Sequence, residues 1–245
     1  MLDRLKGPLL ELIDVFTANP VMRQTEMIQC IISFFAVAVI IFMVFPLRQF
    51  ARGMVAKRLG DDTGEREGRL TLNPFSHIDP MGALLLCITC IGWPKYMPIN
   101  YRNCTKVNQR TAVITTSLAG PCAGIITSYL LLIIVKIIFM NMINLNTANE
   151  MMYYIASGLL YVCSINMSLA IFHLLPIPPF DGCNILCCFL PPKGVMFIQR
   201  NGQIIHWVFF AVLIMGWLDV PLSWLSNGLM WLLDRASFFV GMLYA

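Results

Sequence analysis

Six runs free of Asp, Glu, Lys and Arg decide what this chain can become: Met27–Leu47, Pro80–Pro94, Thr111–Val135, Met151–Phe180, Asn201–Leu218 and Val220–Leu233. A helix crossing a bilayer needs about 20 apolar residues. The first, third and fourth runs are long enough, and Lys136 just beyond the third can snorkel to an interface. The fourth ends before the prolines at 176, 178 and 179. Asp219 separates the last two runs, and a short apolar tail follows them. Charged residues make up only 12% of the chain and hydrophobic ones 58%. Soluble domains carry about 25% charged residues, so these runs leave no soluble domain of useful size. Nine cysteines lie mostly within apolar runs. That pattern fits small reduced packing residues and not a secreted disulfide framework.

Pro80–Pro94 is too short to span, and charge bias supports that reading. Six basic residues lie from Arg48 to Arg69 and four from Lys95 to Arg110. A crossing at 80–94 would put these two basic loops on opposite faces, against the positive-inside rule. Met81–Trp93 is therefore expected to be re-entrant, which is tolerated where protein or water surrounds the backbone. Thr111–Val135 then runs outward, Asn141–Glu150 lies outside without Lys or Arg, and the next span returns inward. Lys193 and Arg200 fall inside as well. Arg4, Lys6 and Arg23 remain outside, against the bias. The first 26 residues are mixed and amphipathic, with no short apolar core followed by a small-residue cleavage site.

Two stretches read as extended. Gly68–Asn73 alternates polar and apolar residues, and Trp93–Asn100 carries prolines that suit an edge strand. Paired, they would form a small sheet at the membrane surface. The expected fold class is thus an all-α polytopic membrane protein with about five to six transmembrane helices, a re-entrant segment and that sheet. The expected organisation is an amphipathic segment over 1–26 and a single membrane domain over 27–245. A net charge of +4 is too small to suggest nucleic acid as a partner.

Three motifs stand in order. GDDTGEREGRLTLNPFSHIDPMG covers Gly60–Gly82, AGP covers Ala119–Pro121, and HLLPIPPFDG covers His173–Gly182. Together they resemble the site-2 protease family of intramembrane zinc metalloproteases, in its small members without a PDZ domain. The resemblance runs from about Met27 to Trp207. It implies a cell membrane of bacterial or archaeal type, and a HExxH helix just before the first motif. In that helix two histidines bind zinc and a glutamate is the general base. The third ligand is the Asp of the last motif.

The matching positions here read RQFAR, Arg48 to Arg52. The Asp is retained as Asp181. His173 stands where the family has an Asn thought to steady substrate, and Gly124 stands where an Asn usually follows AGP. Zinc takes imidazole nitrogen, thiolate or carboxylate oxygen. Arginine has no lone pair to give and stays protonated, and Gln49 cannot take a proton from water. The resemblance therefore implies a scaffold kept and a metal site lost, with no cofactor.

A carboxylate inside a helix bundle needs compensation. Arg48 or Arg52, with Gln49 beside it, is a candidate counter-ion for Asp181, since guanidinium matches carboxylate in geometry and charge. The alternative is that both arginines snorkel to the interface. A second, weaker possibility is a relocated metal site on Cys183 and Cys187, four apart, with Asp181 or His173. Two functions follow. One is an inactive homologue that binds a transmembrane or extended protein segment in the lipid without cutting it. The other is an active zinc protease with a rearranged ligand set.

Overall fold

The computed structural model describes residues 7–18, 20–144, 150–178, 180–215, 217, 219–238 and 240. Ten α-helices carry the described chain. The first, α1 (Pro8–Thr17), opens with proline at a position where no donor is lost. Next come α2 (Pro20–Val39), a single π-helical turn over Ile40–Val44, and α3 (Phe45–Leu59), which join into one long rod. Pro46 lies just inside the α3 start. A proline there cannot donate to the preceding turn, and a π turn is one of the local adjustments that absorb such a loss.

At its far end α3 stops on Gly60, whose φ of 113° suits glycine alone. Gly60 N–H reaches Lys57 O at 3.1 Å and Asp61 N–H reaches Ala56 O at 3.0 Å, the paired bonds of a Schellman stop. A short helix α4 (Thr63–Arg66) follows. Then comes α5 (Pro80–Thr89), capped by Asp79, whose carboxylate accepts Gly82 N–H at 2.8 Å. At 10 residues α5 is about 15 Å long, half the hydrocarbon thickness. It ends at Cys90 in a left-handed conformation.

The remaining helices are α6 (Gln109–Asn144), α7 (Glu150–His173), α8 (Asp181–Cys187), α9 (Pro192–Ile214) and α10 (Asp219–Ala236). Among the described residues, three helices are long and apolar enough to cross a membrane: Met22–Leu59, Gln109–Ile143 and Glu150–His173. Part of the Asn141–Glu150 loop, and Pro179 in PIPPFDG, lie outside the described residues.

The core is the packing of α2, α6 and α7. Ala36, Val37, Ile40, Val44 and Phe45 bury against Val162, Ile165 and Leu169. Small residues let α6 approach α7 closely, and polar contacts join the two helices. Asn166 Nδ2 donates to Gly124 O at 2.9 Å, and Ser128 and Cys163 exchange bonds to each other's carbonyls at 3.4 and 3.2 Å. Small residues and side-chain hydrogen bonds are the usual devices where lipid supplies no hydrophobic drive.

The expected surface sheet is not there. No strand occurs among the described residues. Pro94 and Pro98 lack N–H groups, and three other donors of 93–100 go elsewhere: Lys95 N–H to His77 O at 2.8 Å, Met97 N–H to Gln49 at 3.1 Å and Asn100 N–H to Asp61 at 2.8 Å. The Arg69 side chain bridges the two stretches, to the carbonyls of Lys95 and Tyr96.

His77 anchors the loop from within. It is fully buried and its Nε2–H donates to Thr71 O at 2.7 Å. Burial pushes its pKa below the ordinary histidine value and nearby Arg69 adds to the shift, against the bond to Thr71.

Candidate functional site

The face of α3 that continues the core stripe is polar. Arg48, Gln49 and Arg52 are all buried, Arg48 and Arg52 to 2% exposure. A span that only snorkelled its cations would leave them in solvent. Here they point inward, toward the start of α8, where Asp181 is 5% exposed.

The two arginines have different surroundings. Arg52 Nη1 meets Asp181 Oδ1 in a buried ion pair, and its Nη2 donates to the Tyr96 hydroxyl. Its guanidinium carbon lies 4.1 Å from the Tyr96 ring centroid. Arg48 has no ion pair within salt-bridge distance among the described residues, and its Nη1 is buried without a hydrogen-bond partner. It packs beside Gly124. A Cβ on Gly124 would stand in ordinary contact with Arg48 Nε, at 3.5 Å, and tight against Asn166 Oδ1, at 3.2 Å.

Gln49 Oε1 accepts Met97 N–H, which fixes the extended segment 93–100 onto α3. Met97 is fully buried in a socket that glycine makes possible: a Cβ on Gly53 would meet its Cε at 3.0 Å, and one on Gly64 its Sδ at 3.0 Å. Asn184 of α8 donates to the Tyr96 hydroxyl at 3.1 Å. Arg52, Asp181, Tyr96 and Asn184 thus join α3, α8 and the 93–100 segment.

A cavity of about 230 Å³ lies inside this frame, lined by Gln49, Arg52, Asp79, Trp93, Tyr96, His173 and Asp181 among others. His173, at the end of α7, hydrogen-bonds through Nδ1 to Leu169 O at 2.7 Å and packs edge-on against Phe180. Cys183 and Cys187 line a different cavity of about 610 Å³ with Tyr101, Arg110 and Cys188. Among the described residues no three His, Cys, Asp or Glu side chains gather as a metal would require.

Tyr96 and Asn184 were not singled out by sequence. Tyr96 sits in PKYMPIN with no motif around it, and only the fold brings it over α3.

The chain is 34% identical over 176 residues to the Bacillus subtilis (strain 168) protein named "Putative zinc metalloprotease YwhC", covering 69% of this chain and 75% of that one. It belongs to the site-2 protease family. The protein named "Putative zinc metalloprotease Rip2" from Mycolicibacterium smegmatis is 26% identical over 197 residues, covering 78% of this chain and 70% of that one. No family model and no solved structure matches.

Zinc, which the relatives' names imply, does not fit the side chains at this place. Of the three positions that the motif resemblance would make ligands, Arg48, Arg52 and Asp181, only Asp181 offers a donor atom, and one of its oxygens is engaged by Arg52. The other two positions carry guanidinium, which repels a dication and has no lone pair.

Proposed function

We propose that this chain is a non-cleaving member of the site-2 protease family, held in the membrane by multiple spans with α9 and α10 completing five. It receives a transmembrane or extended segment of a partner without hydrolysing it. One observation carries the reading: the Arg52 guanidinium sits on the carboxylate that the family uses as a metal ligand. An ion pair neutralises Asp181 much as a metal would, so the scaffold can fold without zinc. Gln49, in the general-base position, has its oxygen engaged by Met97 N–H, so it holds the chain in place and moves no proton.

The relatives' names favour the contrary reading, an active zinc enzyme with other ligands. Purified protein separates the two. Zinc content well below one per chain, with no chelator-sensitive cleavage of a transmembrane model substrate, is the expected result. Zinc near one per chain with such cleavage would overturn the proposal. Reinstating the family residues with R48H, Q49E and R52H, while Asp181 is kept, is expected to raise zinc binding toward one per chain. The ligand set would then again hold two imidazoles and a carboxylate.

A further inference from the structure

The ion pair of Arg52 and Asp181 leaves the three thiols of α8 and its C-cap unexplained. Cys183 and Cys187 are four apart on α8, which puts them on one helical face with Cβ atoms about 5–6 Å apart. A side-chain hydrogen bond links the two thiols. Cys183 is buried and Cys187 half-buried. Both line the cavity of about 610 Å³ bounded by α6, α8 and α9. Phe180 lines this cavity and the one that holds Asp181 and His173, whereas those two residues line the latter alone. The thiol pair is therefore a separate place in the fold.

Cys188 is occupied differently. Its Sγ donates to Asn184 O at 3.4 Å and lies 3.9 Å from Arg110 O. Backbone carbonyls hold it, and the facing pair is Cys183 with Cys187.

Two thiols select strongly among ligands. Zinc asks for four donors, and among the described residues no third His, Cys, Asp or Glu gathers with them. Copper(I) is soft, favours thiolate and is satisfied by two sulfurs in line. Binding releases two thiol protons to the buffer and moves no electron. The product, one monovalent cation between two thiolates, carries a single negative charge. Arg110 lines the same cavity and has no ion pair among the described residues, so it can compensate that charge. We propose that Cys183 and Cys187 form a two-coordinate site for a soft monovalent cation, copper(I), with Arg110 as its charge partner. The site shares no ligand with the family positions and does not depend on whether the chain cleaves. A bound ion staples the helix that Asp181 opens.

Copper(I) titrated into the full chain in detergent, without oxygen and against a chromophoric copper(I) chelator, tests this. One equivalent per chain is expected to resist the chelator. Cys183→Ser and Cys187→Ser should each lose that equivalent, and Cys188→Ser should keep it. Arg110→Gln should weaken it about tenfold to a hundredfold, the usual effect of an outer partner. X-ray absorption should show two sulfur neighbours. If a serine variant does not fold, alkylation of the unaltered chain decides, since copper(I) should protect Cys183 and Cys187 and leave exposed Cys122 reactive. An equivalent that both serine variants retain, protection elsewhere, a third sulfur neighbour, or no copper(I) held against the chelator would each overturn the proposal.

Discussion

Two buried carboxylates, 2% and 5% exposed, are held in opposite ways. Asp61, in the loop after α3, is satisfied by neutral donors: the Thr63 hydroxyl, Thr63 N–H at 3.2 Å, Asn100 N–H at 2.8 Å and Asn103 Nδ2 at 3.2 Å. Asp181, at the start of α8, is held by a guanidinium. Burial pushes the Asp61 carboxyl up, but the bonds from Thr63, Asn100 and Asn103 outweigh it and leave its pKa below the ordinary carboxylate value. Asp61 sits among turns, where backbone N–H groups not used by a helix are available. Asp181 opens α8 and is held by a side-chain cation, which supplies here what neutral donors supply at Asp61. The same negative charge is thus stabilised by local chain geometry at one place and by a distant residue, 129 positions away, at the other.

The sharpest way to break this contrast is to remove one partner of the pair. Arg52→Met or Asp181→Asn alone is expected to cost about 3–5 kcal/mol, because each leaves the other charge buried and uncompensated. The double variant should recover a large part of that, and unfolding of all three in detergent checks it. Strict additivity would show that the two side chains do not depend on each other.

Asp61→Asn should cost less, about 1.5–3 kcal/mol, the range for hydrogen bonds to a charged group. No compensating removal of a cation should rescue it, since none holds it. A denaturant series on Asp61→Asn, alone and with Arg58→Met, would expose a hidden ionic contribution.

The pH response gives a finer test. A carboxyl whose folded pKa is depressed contributes stability that is complete above its unfolded value, about 4, and is lost as pH falls through the folded value. Melting followed downward from pH 5 should therefore steepen in the unaltered chain and flatten in Asp61→Asn. His77 follows the same sign for a different reason. Its folded pKa is depressed because the neutral ring is buried, so its contribution is complete above about pH 6.5 and fades below. His77→Gln should remove that part of the slope. Gly60→Ala should cost about 1–3 kcal/mol at the left-handed stop of α3, without changing the pH profile.

Much of this was readable beforehand, and the exceptions have physical causes. Two of the apolar runs fall within helices long enough to span and a third, Met151–Phe180, contains most of another, because a run of that length without charge has few alternatives in lipid. The shortness of α5 was visible in the 15 residues between Pro80 and Pro94. The surface sheet was not legible. Alternation in GRLTLN and the prolines of PKYMPIN say nothing about where N–H groups find acceptors, and the buried Gln49 oxygen claimed the one at Met97. Spacing also could not separate the two arginines. Four residues apart, they share a face, but they stand about 6 Å apart along the axis, and Asp181 meets the lower one. Tyr96 carried no signal at all, since its role comes from a segment folding back over α3.

The π turn at Ile40–Val44 has a geometric consequence of its own. Ala36, Ile40, Val44, Arg48, Arg52 and Ala56 are all buried and spaced by four. In an ideal α-helix each step of four overshoots a full turn by about 40°, so 20 residues would carry the last of them about 200° around the rod. One widened turn winds back part of that drift. A helical wheel drawn through Met22–Leu59 as a single helix would misplace RQFAR by roughly one residue, about 100°. The rod is two phases joined by a gear, one set to the apolar core and the other to Asp181.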